Sequence, residues 1–198
     1  MVFFRKGKED MMSFRISRQA IILLLIVGLA AGPALAQRLT IRARHMTGKG
    51  GSMDAVFNIK FVVDDFSTKE EVINLVETLN SGGEDAFRKV FRSYKKGSVQ
   101  ITGAQGLKVN IHAAQEFQKG DKIELRLIAE NEGFGPGISR MIYQGLYFMV
   151  IILEFDQNGK GEGRVYENAT LKYLTDGTIE LDEYKSAPKV LINVRKDK

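Results

Sequence analysis

Asp156, Asn158, Gly161 and Glu167 stand at positions 1, 3, 6 and 12 of the twelve-residue pattern with which an EF-hand loop surrounds calcium. Side-chain oxygens at that spacing, with a glycine at the sharp bend, are what a hard cation requires. The same stretch, DQNGKGEGRVYE, argues against that use. Lys160 occupies the fifth position, where an ammonium repels the ion it should help hold. Asn158-Gly159 is a strong signal for a β-hairpin with a type I′ turn, which needs positive φ at both central residues. An EF-hand loop lies between helices, whereas this one lies between YFMVIILEF and RVYENATLKY, both strand-like. The segment reads as a chain reversal. The alternative is an exposed metal site made of Asp156, Asn158 and Glu167.

Other residues able to do chemistry are few. His45 and His112 are the only histidines, 67 positions apart and each inside an alternating run, so they share a site only if the fold brings them together. No G-x-S-x-G elbow or H-E-x-x-H helix is present. The acidic pairs Asp64-Asp65, Glu70-Glu71 and Glu84-Asp85 fall beside turns or in first helical turns, where capping and the helix dipole account for them. The glycine-rich loop NEGFGPGISR, residues 131–140, is a candidate contact loop, and Phe134, Pro136 and Arg140, with His112, are the candidate ligand contacts. Its glycines lack the following helix that a dinucleotide fingerprint needs, and no cofactor is expected. Asn168-Ala169-Thr170 matches a glycosylation acceptor inside a strand pattern and is set aside.

Compartment and partners follow from the termini and the composition. Residues 1–36 read as a signal peptide: a basic start, an apolar stretch from Ala20 to Ala31, and Ala34-Leu35-Ala36 as the cleavage site. About 12 apolar residues fall short of the roughly 20 needed to span a bilayer, so no membrane span is expected after cleavage. That leader holds five of the 29 basic and two of the 24 acidic residues, leaving a near-neutral chain with interspersed signs. A nucleic-acid partner is therefore not expected. With no cysteine, there is neither a disulfide framework nor a thiolate site. The remaining residues, 37–198, suffice for one domain, placed in the periplasm or outside the cell.

The elements that must position these residues emerge from periodicity. Leu39, Ile41 and Ala43 alternate with Arg38, Thr40, Arg42 and Arg44; Ala55, Phe57, Ile59, Phe61 and Val63 form a second alternating run. Ser67-Thr68-Lys69-Glu70 predicts a capping box at the head of a helix with Val72, Ile73, Val76 and Leu79 on one face, ended by Gly82-Gly83. Phe87, Val90, Phe91 and Tyr94 predict a second helix, stopping at Gly97. Strands follow around 107–114 and 123–129. The doubly apolar run Tyr143 to Phe155 reads as a strand covered on both faces, and shorter strands lie around 171–173, 179–181 and 190–194.

The succession AFRKVFRSYKKGSVQI, YFMVIILEFDQNGKGEGR and IELDEYKSAPKVLINVRK resembles a family of uncharacterised exported bacterial proteins. That resemblance implies the bacterial envelope and no assigned activity, and the segment Asn131 to Ile142 departs from its pattern. The expected architecture is α+β: a mainly antiparallel meander of eight or nine strands, open or curled toward a barrel, with two consecutive helices packed on one face. The expected function is non-catalytic binding of a hydrophobic small molecule or an envelope protein. An enzyme using carboxylates or His112 in a pocket is the alternative.

Overall fold

In a computed structural model of the chain, residues 38–47, 55–102, 108–130 and 146–197 are described, and Ala36–Lys198 form one compact unit. The elements are β1 (Leu39–Thr47), β2 (Ala55–Val63), α1 (Lys69–Ser93), β3 (Gly97–Thr102), β4 (Lys108–Lys119), β5 (Lys122–Glu130), β6 (Phe148–Phe155), β7 (Lys160–Tyr173), β8 (Ile179–Tyr184) and β9 (Lys189–Lys196). All pairings are antiparallel. The strand order β6-β5-β4-β3-β2-β1-β9-β7 closes on itself through β6–β7, giving an eight-stranded barrel, and β8 adds to the later half of β7.

Alternation fixes which side chains point in. Ile41 and Ala43, Ile59 and Phe61, Leu125 and Leu127, and Ile151, Leu153 and Phe155 belong to one cluster of buried apolar residues that fills the barrel. Two bulges adjust the count. On β4 the register shifts between Ile111 and Ala113, so Ile111 and Ala114 face inward while Ala113 packs on the outer side. On β9, Asn193 adopts φ 53 where the pairing with β1 and β7 slips, which lets Leu191 and Val194 both enter the interior. Glycines on β7 answer a spatial demand. A Cβ on Gly161 would lie 1.7 Å from the Glu154 carbonyl oxygen, and one on Gly163 would lie 2.6 Å from Leu153 Cδ2.

A second apolar cluster forms outside the barrel, where Val72, Leu75, Phe87 and Phe91 of α1 pack on Ala113, Ile128, Phe148, Val150, Tyr166 and Ile179. Phe87 and Phe91 stack at 5.7 Å, and both meet Phe148 edge-on. Burial of four such side chains, at roughly 1.5–3 kcal/mol each, outweighs intrinsic helix propensity as the reason this segment is helical. The expectation of two helices is corrected to one helical element, kinked at Gly83, whose φ of 71° and ψ of −168° are non-helical. Its N-cap is Thr68, one residue later than expected: the Thr68 hydroxyl accepts from the Glu71 N–H and the Glu71 carboxylate accepts from the Thr68 N–H. Ser67 is drawn away, because its N–H donates to Ala114 O and its hydroxyl accepts from Ala114 N–H. The buried stripe shifts with the cap, leaving Ile73 exposed and Leu75 inside.

Lys96 ties the helix to the barrel. Its ammonium, only 5% exposed, meets Asp65 Oδ2 and Glu71 Oε2 at 2.8 Å each and donates to Phe66 O at 3.1 Å, which uses all three of its donors. Its backbone joins β2 to β4, accepting from Asp64 N–H and donating to Ile111 O. Outside the barrel, Gln115 holds the start of β8: its Nε2 donates to Gly177 O and its Oε1 accepts from Ile179 N–H.

Burial pulls the Lys96 pKa down, but the hydrogen bonds and charges of Asp65 and Glu71 outweigh it and leave it raised above 10.5. The hydrogen bond from Lys96 chiefly holds Asp65 below 3.8. Asp65 therefore adds stability above its unfolded value that fades as pH falls through its lowered folded value; the Lys96 contribution is whole below 10.5 and fades as pH climbs through its raised value. Asp65→Asn lowers the melting temperature at pH 7, and the deficit relative to wild type shrinks toward pH 3; a deficit independent of pH contradicts the assignment. Gly161→Ala, forced against the β6 backbone, costs at least about 1–3 kcal/mol in urea unfolding.

Candidate functional site

The residues singled out by spacing do not converge. Asp156 Oδ1 accepts from the N–H groups of Asn158 and Lys160, and the Gly159 N–H donates to Asp156 O. These backbone donors, Lys160 first, hold the Asp156 carboxyl below its usual range. Only Gly159 has positive φ, at 72°, so the reversal is a three-residue hairpin with glycine in the left-handed place and not the expected type I′ turn. Glu167 lies seven residues up β7, roughly 20 Å from the turn at strand rise, where it pairs with Lys189 at 2.6 Å. Among the described residues no group of three His, Asp or Glu side chains is placed to hold a metal.

His112, on the outward face of β4, is buried between helix and barrel. Its Nδ1 lies 2.8 Å from Tyr94 O and its ring 5.0 Å from that of Phe91. A carbonyl only accepts, so Nδ1 carries the proton there. His45 follows the inward register of Ile41 and Ala43, with Nδ1 3.0 Å from Val190 O. Strands β2 and β3 separate the two rings, which lie on opposite faces of the wall. The buried carboxylate Glu124 is taken by Lys119 and by Arg126 at 2.7 Å. Asp64 pairs with Arg38, and Asp65 and Glu71 pair with Lys96. Phe134, Pro136 and Arg140 lie outside the described residues.

A different constellation stands on the side away from the helix. Following the pairing across the barrel wall, Lys108 is opposite Gln100, Gln100 opposite Lys60, Lys60 opposite Arg42, Arg42 opposite Arg195, and Arg195 opposite Lys160. All six share the outward register. Three consecutive steps, from Lys60 to Lys160, set like charge against like charge about 5 Å apart at Cβ, each costing a few tenths to about 1 kcal/mol in water. Asp197 relieves one of them through Arg42 Nε at 3.0 Å. Arg44, one row along, adds a further cation. These side chains border a surface cavity of about 840 Å3, whose lining of Arg42, Arg44, Lys60, Lys160 and Arg195 with uncharged neighbours contains no carboxylate.

No sequence motif carried this site, because its members come from four strands. The register that aligns them rests on tertiary pairing and on the β9 bulge. The outward basic residues of β1 were visible as the wet face of a strand, without their neighbours. Comparison of the chain with protein-family models, with curated proteins and with solved structures returned no match.

Asp156 serves the turn here. Asp156→Ala leaves the Asn158 and Lys160 N–H groups without their side-chain acceptor and lowers the melting temperature. The loss is the same in EDTA and in millimolar calcium, measured by thermal unfolding; a calcium-dependent difference between the two proteins overturns that role.

Proposed function

We propose that this chain is a non-catalytic binding protein of the bacterial envelope that engages an anionic partner through the outer face of β2, β1, β9 and the start of β7. The observation that carries this reading is the like-charge row. Such a row lowers stability in the free protein, and an anion seated against it converts repulsion into attraction. The placement of the other ionisable groups supports binding over catalysis: His112 is engaged in the seam under the helix, and Glu124 is neutralised in its pocket. The interior supports an external surface over an internal hydrophobic ligand, since twenty buried apolar residues fill it among the described strands.

Removing Lys60 and Arg195 as cations tests this directly. Lys60→Gln/Arg195→Gln is expected to raise the melting temperature by about 1–3 °C as repulsion is relieved. The same variant is expected to leave immobilised dextran sulfate at markedly lower salt than a control of equal net charge, Lys122→Gln/Lys172→Gln. If the two variants elute together, the face is not the anion-binding surface.

A further inference from the structure

The outward face of β1, β2 and β9 is layered along the strand direction. Lys60, Arg42 and Arg195 form one layer, and Asn58, Arg44 and Ile192 form the next. Val56 and Met46, directly opposite each other, form a third with Val190, which keeps the outward register of Ile192 on β9 and has Arg164 of β7 opposite it. These aliphatic groups stand in water: Met46 is 48% exposed, Val56 50%, Val190 55% and Ile192 37%. They are four of the six large apolar residues left exposed among the described residues. Layers two residues apart are separated by about 6.6 Å, which puts the aliphatic layer roughly 13 Å from the cation row.

We infer that this face docks on an anionic lipid surface, with Met46, Val56, Val190 and Ile192 entering the acyl boundary while Arg42, Arg44, Lys60 and Arg195 lie at the phosphates. The inference rests on the reading of this face as the anion-binding surface and names its occupant. Three features favour a lipid surface over an acidic protein. The charge is of one sign throughout the cavity lining, as a uniformly anionic plane requires, whereas protein interfaces match both signs locally. The exposed apolar groups of this face, Met46, Val56, Val190 and Ile192, include none of the Tyr or Trp anchors that dominate protein hot spots. Across β1, β2 and β9 the outward residues pass from cationic to apolar along the strands, and peripheral attachments likewise set cations at the headgroups while burying apolar groups about 5–10 Å into the acyl boundary. Each basic residue near such a surface strengthens attachment roughly fivefold.

The chain has no tryptophan, so Val56→Trp or, separately, Ile192→Trp reports from the face alone. The test uses vesicles of phosphatidylcholine alone, vesicles with one-third phosphatidylglycerol, and poly-glutamate in solution. With the anionic vesicles the tryptophan emission shifts to the blue and is quenched by brominated acyl chains; with neutral vesicles it is unchanged. Arg42→Gln/Arg195→Gln weakens co-sedimentation about 25-fold, and Met46→Ser/Val190→Ser weakens it several-fold at every salt concentration. The apolar segment 20–31 is common to all variants, so only differences between them count. Vesicle binding with neither tryptophan shifted overturns the inference. Binding of poly-glutamate without binding of anionic vesicles also overturns it and leaves the anionic-partner reading standing. Binding of neither removes both.

Discussion

Closing an antiparallel sheet at eight strands leaves an interior just wide enough for side chains to fill. In this chain the buried filling is apolar, and His45, in the same inward register, sets its Nδ1 against Val190 O. Closure also removes the free edges that the open ring would present, since β9 joins β1 to β7 as the ring completes. The remaining surface divides in two. One side, from β4 to β8, is covered by α1 and held by the Lys96 triad; the other, from β3 through β2 and β1 to β9, meets solvent. Among the described residues, that second side carries four of the six exposed large apolar side chains, Met46, Val56, Val190 and Ile192.

The alternating strands were legible because each has one apolar face. Leu39 to Ala43, Ala55 to Val63 and Ile123 to Ala129 keep period 2 over enough residues to exclude a helix. Leu39, Ile41, Ala43, Phe57, Ile59, Phe61, Val63, Ile123, Leu125, Leu127 and Ala129 face inward as expected, and β6 is covered on both faces as its continuous apolar run implied. β3 was not legible: Gly97–Thr102 is short, and its Ser98 and Gln100 gave no periodicity strong enough to stand beside the helix signal before it. The kink at Gly83 was visible as a glycine pair, but whether it ends one helix or bends a longer one depends on the shared packing of Leu75 and Phe87 on the barrel. The capping box moved by one residue because Ser67 found a better partner in the Ala114 backbone, a contact 47 positions away.

The basic face shows a different limit. Arg42, Lys60, Arg195 and Lys160 are each unremarkable in sequence, one charged residue in the polar half of an alternating strand. Their alignment is a property of register, and register on β9 depends on one residue in the left-handed region, Asn193. A one-residue slip there would turn Arg195 inward and dismantle the row. Net charge was equally uninformative, because the balance of signs over the chain conceals their segregation in space.

The place of β9 between β1 and β7 has a temporal meaning. Every seam of the ring that does not involve β9 joins strands that follow one another in the chain, while β1 must wait some 150 residues for its second neighbour. Loop-closure entropy makes such a long-range pairing slow. Until β9 docks, β1 is a bare edge and Arg42 lacks the column beside it. Arg195 joins Lys60 and Arg42 only once β9 is seated, so the like-charge row exists only in the closed barrel and the cost of its repulsion falls on the longest-range seam of the fold.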